Sequence, residues 1–559
     1  MLYGHSSLVS LSTAALVLSV AISSQSPKLQ PPKVQPQDGK TSTPGNEACA
    51  SCHAEIYNSY KKTVMARASG PAGEGLVTGE FDDKISGVKY RVFKQDDRVW
   101  LSYERSGENK IRGDRELLYF VGSNVKGRSY LFSDDGYLFE SPINWYSQEG
   151  RWNMAPAYTE AREIPMNLPS YSSCLNCHTS GLQPRIPGTR NRFSGKPFLH
   201  DGITCERCHG AGDGHLSGKG TIVNPAKLAP ERRDSICMEC HFEGTVAVQQ
   251  PGKHVSDFQP GEKLSDYIHY FVSTDDREKT AEALSQYEAL SLSLCKKKSG
   301  DKMWCGSCHE PHREPEPEEK AAYYRGKCLT CHGEAFAAKH HPKESDCRQC
   351  HMPALPSKDV AHTQSADHRI LKYSKASAVP ELQTHGMPFV AFPANDASLV
   401  TTRDYALAWE NRAEHNVEGA AKQAAEYLEK AAKEWPDDPA VLSAWGFVEQ
   451  EHGKQKEARE IYERALKARP RSNTVAANLG ILDAKTGDLQ DAVKLWQGAF
   501  ARVPYRSAIG MDLAMVFCST GQKDVALKYV ERVLEFNPDY GKGRSLLEHM
   551  EANPAQCKP

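Results

Sequence analysis

The chain has 559 residues, with 69 Lys and Arg against 71 Asp and Glu and a formal net charge of −2. That length exceeds one ordinary core and implies two or three domains, while the near-neutral balance supplies no basic field and excludes a nucleic-acid partner. Charged residues at 25% and hydrophobic ones at 39% are those of a soluble chain, with an apolar share on the low side.

Residues 1–23 carry an apolar run broken by small polar residues, within LVSLSTAALVLSVAISS from Leu8 to Ser24. It suits the h-region of a secretory signal peptide, with Ala21 and Ser23 as small residues for cleavage. Only His5, and no Lys or Arg, precedes it, so an uncleaved N-terminal anchor is the alternative. No other run approaches the ~18 apolar residues of a spanning helix, so no further membrane insertion is expected. Residues 24–46, containing SPKLQPPKVQPQDGKTSTPG, read as a semi-extended Pro-rich linker.

The unit at 47–400 opens on CASCH, Cys49–His53. At about 80–160 the texture changes. VKYRVF and RVWLSYER alternate across a QDD turn, and YLFSDDGYLFESPINWY alternates around Asp134-Asp135-Gly136. A small insertion of β-hairpins is predicted there, with Trp100, Tyr103, Tyr119, Phe120, Trp145 and Trp152 as its own core. From Cys174 to His351 the sequence is rich in Gly, Pro, Lys and His and poor in aliphatic runs. Such a stretch cannot fold around its own side chains alone.

Residues 401–549 are periodic. Pro436, Pro470, Pro504 and Pro538 recur every 34 residues, as do Gly419, Gly453, Gly487 and Gly521, and Ala424, Ala458, Ala492 and Ala526. This spacing, with Trp445-Gly446, Ala458, Tyr462 and Ala465 in the second repeat, resembles the tetratricopeptide repeat. Four repeats over 405–540 and a capping helix from Gly543 are predicted, forming an α-solenoid that offers a surface to a protein partner.

The pentapeptide of Cys49, Cys52 and His53 is written seven times. It returns at Cys174, Cys177 and His178; at Cys205, Cys208 and His209; and at Cys237, Cys240 and His241. It returns again at Cys305, Cys308 and His309; at Cys328, Cys331 and His332; and at Cys347, Cys350 and His351. Random order of these residues yields about 0.02 such motifs. Of 17 cysteines, only Cys295, Cys518 and Cys557 are left over. Two intervening residues let one helical turn present both sulfurs to one porphyrin edge, for thioether bonds to the vinyl groups, and the next residue, His, ligates iron. Zinc does not need His directly after every second Cys, a thioredoxin-like motif occurs once, and disulfides leave the seven His unexplained. Seven covalently bound c-type haems are expected, and with them an exported protein, periplasmic or extracellular and bacterial.

A ligand opposite each proximal His decides between a redox carrier and a catalyst. Fourteen His lie outside the motifs, ten of them between His200 and His385. The candidates are His200, His215, six residues after His209; His312, three after His309; His341, just before the last motif; and His362 and His368. For the first motif the candidate is Met65, twelve residues beyond His53, with a packing role as its alternative.

GITCERCHGAGDGH, CGSCHEPH, the HP…DCRQCHMP segment and HTQSADHRI resemble the multihaem cytochrome c superfamily of cytochrome c554 and hydroxylamine oxidoreductase, over roughly 47–370. Ala211 departs from the family's usual CHGPG. The resemblance implies a mainly α, haem-organised domain, closely packed haems with bis-His iron, and electron transfer with redox partner proteins. The family's octahaem enzymes have an eighth haem, and neither an eighth motif nor CxxCK occurs here. A carrier is therefore expected ahead of an oxidoreductase working on a small nitrogen or sulfur compound at one five-coordinate haem.

Overall fold

The computed structural model describes residues 45–107, 109–273, 284–340, 346–355, 366–372, 389–553 and 557. The leader, most of the linker, His341 and His362 lie outside them. Among the described residues no helix is long and apolar enough to cross a membrane.

The alternating stretches form a larger β structure than the predicted insertion of hairpins. Its strands are β1 (Ser69–Pro71), β2 (Gly79–Asp82), β3 (Lys89–Gln95), β4 (Arg98–Arg105), β5 (Ile111–Val121), β6 (Gly127–Asp134), β7 (Tyr137–Glu140), β8 (Ile143–Tyr146) and β9 (Arg151–Met154). They join in the antiparallel order β2-β3-β4-β5-β6-β8-β9, with β1 on β5 and β7 on β6. Period-two burial along β3 and β4 places Tyr90, Val92, Val99, Leu101 and Tyr103 on the inner face. The sheet curls, and Trp152 of β9 donates its indole N–H to the Val77 carbonyl just before β2. Two smaller sheets follow: β10 (Thr179–Leu182) with β11 (Phe198–Asp201), and β12 (Val246–Gln249), β13 (Ile268–Ser273) and β14 (Phe389–Phe392). "Mainly α" is thus corrected to helix plus a substantial antiparallel sheet.

Four antiparallel helix pairs run from Thr402 to Phe536, and a last helix covers Gly541–Ala552. The period has two physical sources. Gly419, Gly453, Gly487 and Gly521 all sit at φ between 74° and 92°, at the turn between paired helices, where a Cβ is disfavoured. Ala424, Ala458, Ala492 and Ala526 are at most 2% exposed, at the contacts between helices. At Gly446 a Cβ would stand 2.6 Å from the Tyr462 ring, so only glycine lets that pair close.

The array is fastened at both ends. Its first helix, Thr402–Glu414, packs Tyr405 and Trp409 against Phe271 of β13 and Phe389 of β14. There His269 Nδ1 lies 2.9 Å from the buried Asp404 carboxylate, and Arg403 donates to the Gln249 carbonyl. At the other end Tyr137 and Phe139 of β7 meet Tyr505 and Phe536 at ring distances of 5.4–6.0 Å. Asp539, 2% exposed, takes two bonds from Arg105 of β4, at 2.8 and 2.5 Å, and others from Arg544 and the Ile164 amide. The nine-stranded sheet and the later repeats therefore share one hydrophobic core.

Replacing Asp539 with Ala should cost about 3–5 kcal/mol, because two guanidinium groups lose a buried partner. Urea unfolding checks this, and a loss below about 1 kcal/mol would count against a shared core. A disulfide joins Cys518 to Cys557 across a separation of 39 residues.

Candidate haem-binding site

Each motif folds as one helical turn. The amides of His53, His209, His309 and His351 donate to the carbonyl of the first Cys of their motif at 2.9–3.1 Å. The other three motifs end or lie within helices Ser172–His178, Pro230–His241 and Lys320–His340. Directly after His332, Gly333 takes φ 70°, and the long helix kinks there.

All fourteen motif cysteines and all seven motif His line a single cavity of 2730 Å³. That is several times the roughly 300–1,000 Å³ of a pocket for one small ligand. Ile56, Val125, Leu216, Leu294 and Phe336 also line it, each about half exposed. Half-exposed apolar side chains along such a wall fit flat hydrophobic groups filling the space. Between 294 and 355, Pro315 is the one buried residue among those described.

Four pairs of imidazoles span this cavity. His53 faces His215 with ring centroids 6.4 Å apart and planes 21° apart. His209 faces His312 at 5.8 Å and 13°, and His309 faces His368 at 6.3 Å and 25°. His351 faces His340 at 6.1 Å and 31°. With metal–nitrogen bonds of about 2.0 Å, two imidazoles on opposite sides of one metal have centroids roughly 6 Å apart. Haem iron fits these four gaps.

Hydrogen bonds fix the tautomers. His209 Nδ1 donates to the Val223 carbonyl at 2.7 Å, His351 Nδ1 to Leu371 at 2.5 Å, and His368 Nδ1 to Ala366 at 2.8 Å. His312 Nδ1 donates to the Glu310 carboxylate at 2.9 Å. A carbonyl or carboxylate can only accept, so Nδ1 carries the proton and the lone pair stays on Nε2, as metal ligation requires. Burial, reinforced by neighbouring His368 and His241, pushes His309 down to about 4, and burial likewise lowers His209, His241 and His368.

Thiols of different motifs also meet: Cys49 with Cys205, Cys177 with Cys240, Cys237 with Cys305, and Cys328 with Cys347. Burial, reinforced by those contacts, pushes Cys205 and Cys328 up to about 12. Among the described residues no three His, Cys, Asp or Glu side chains are grouped to hold a metal ion by themselves.

Of the remaining candidates among the described residues, neither Met65 nor His200 belongs to these pairs. Met65 lines the cavity, but the ring facing His53 is that of His215, and the Met65 carbonyl accepts from Ile203. His200, on β11, packs against Gly45 beside Glu206. His340 was not singled out in the sequence. Its signal is spacing, since Phe336 and His340 stand four residues apart on the helical stretch after Gly333, with their rings stacked.

Fold and site together resemble those of a multihaem cytochrome c with C-terminal tetratricopeptide repeats. Family models match for the tetratricopeptide repeat at 401–540, the doubled CXXCH motif at 298–337, and cytochrome c554 and c-prime at 148–210. The multiheme cytochrome MtrA of Shewanella baltica (strain OS185) is 25% identical over 182 residues, 30% of this chain and 54% of that protein. The chain thus spans about half the length of this curated relative. Similar solved structures include MamA from Desulfovibrio magneticus RS-1, with 18% identity over 28% of this chain and 89% of that one, at a TM-score of 0.25. A tetratricopeptide repeat protein from Parabacteroides merdae ATCC 43184 shows 20% identity over 27% and 61%, at 0.24.

Proposed function

We propose that this chain is an exported heptahaem c-type cytochrome that carries electrons between redox partner proteins. The observation that carries the reading is the set of four His pairs at the separation of two axial ligands, with four of their rings anchored through Nδ1. Bound at the seven motifs, haem supplies one-electron iron chemistry. The chain's own part would be to hold each porphyrin edge by two thioethers, to offer the iron an imidazole from each member of the four His pairs, and to keep water from the apolar cavity. At the four paired positions an iron would have both sides taken and no place for substrate, which favours carrier over oxidoreductase. The Cys518–Cys557 disulfide supports an oxidising, exported setting. The helical array, fastened to both sheets, holds the haem-binding part together and leaves its other surface to a protein partner.

Intact mass and peptide mapping should show seven haems per chain, retained on denaturation, and the ferric protein should be low-spin. Fewer than seven haem peptides, or haem extracted by acid acetone, would refute the stoichiometry. A native high-spin haem with rapid reduction of nitrogen or sulfur oxyanions would make the protein an enzyme instead.

A further inference from the structure

The two spacer residues of a CxxCH motif have no part in attaching haem, yet three of them meet in the interior. Asn176, Arg207 and Glu239 are the second spacers of the second, third and fourth motifs. Arg207 Nη2 donates to Glu239 Oε1 at 2.7 Å and to the Asn176 carbonyl at 3.1 Å. Asn176 Nδ2 donates to the same Glu239 oxygen at 2.8 Å. The Glu239 side chain is 2% exposed and that of Arg207 17%. The corresponding residues of other motifs behave differently. Ser51 and Thr330 donate to carbonyls of their own turn, to Ala48 and Lys327, and Ser307 accepts from the Trp304 amide at the start of its own.

We propose that Asn176, Arg207 and Glu239 are positioning residues that lock the second, third and fourth haem-attachment turns together and set the potentials of those three haems as a group. This rests on the heptahaem reading. A buried charge acts at short range with little screening. The paired charges nearly cancel, so the unit is stiff and electrically balanced. Losing the carboxylate alone leaves an uncompensated cation beside three motifs, and a cation favours ferrous over ferric iron.

The test uses full-length holoprotein. In Glu239→Gln, which keeps the shape, spectroelectrochemical titration should show a subset of about three haems rising in potential. About a tenfold change in their ferrous-to-ferric ratio is expected, which is 59 mV for a one-electron couple. Arg207→Lys keeps the charge while removing the guanidinium that joins Glu239 to the Asn176 carbonyl, so its potentials should stay near the parent's. A merely structural role predicts Arg207→Lys to be at least as disruptive. A Glu239→Gln protein with seven haems and parental potentials, or a shift spread over all seven, overturns the proposal. If haem attachment itself fails in Glu239→Gln, loss from the peptides of Cys174, Cys205 and Cys237 together supports the lock, and loss from the Cys237 peptide alone overturns it. A parent protein without haem on these peptides would instead refute the heptahaem reading.

Discussion

Made without haem attachment, the chain should be cut by protease throughout residues 294–355 at least about 100-fold faster than holoprotein, since such a segment opens at almost no free-energy cost. Along that stretch the helices Lys320–His340 and Arg348–His351 bury no side chain. The cavity wall there carries Leu294 and Phe336 about half exposed, and an unfilled apolar cavity this large gives no reason for its wall to stay in place. Two other parts should survive. The nine-stranded sheet and the later repeats keep their shared core, and β12 to β14 keep their packing on the first repeat. Limited proteolysis with fragment masses checks this. Equal protection of 294–355 in haem-free and haem-loaded chains would show that haem is not its core.

Replacing His215 with Ala should convert one haem of the seven to high spin and let it bind cyanide rapidly, while Met65→Ala leaves the spectrum unchanged. The ring facing His53 belongs to His215, at 6.4 Å. Replacing His215 with Met should raise that haem's potential, because a thioether favours ferrous iron more than imidazole does. Paramagnetic resonance of the ferric variants separates the cases. A high-spin signal in Met65→Ala together with none in His215→Ala would assign the ligand to Met65.

The attachment chemistry was legible because it is local: five residues make one turn, whatever lies around them. The 34-residue period was equally legible, since it repeats one turn and one helix contact. What joins distant segments was not. Tyr137, Phe139, Tyr505 and Phe536 read as residues of two separate cores, and no short-range pattern marks two surfaces as mates. For the same reason the β strands were visible one hairpin at a time, whereas a nine-stranded sheet depends on pairings such as β1 with β5. For the last motif the ring facing His351 is that of His340, carried by the helical stretch after the kink at Gly333, and the sequence candidate His341 lies outside the described residues. Nothing in a single motif shows that Asn176, Arg207 and Glu239 converge.

The anchoring of the array on the sheet also sets a timetable for synthesis. Arg105 and Asp539 are 434 positions apart, so the sheet's outer apolar face waits uncovered while most of the chain is still being made. Contacts so remote form late. A chain ending before Leu489 would lack Tyr505 and Phe536 and so leave Tyr137 and Phe139 uncovered, and it should aggregate during production, even with every haem motif present.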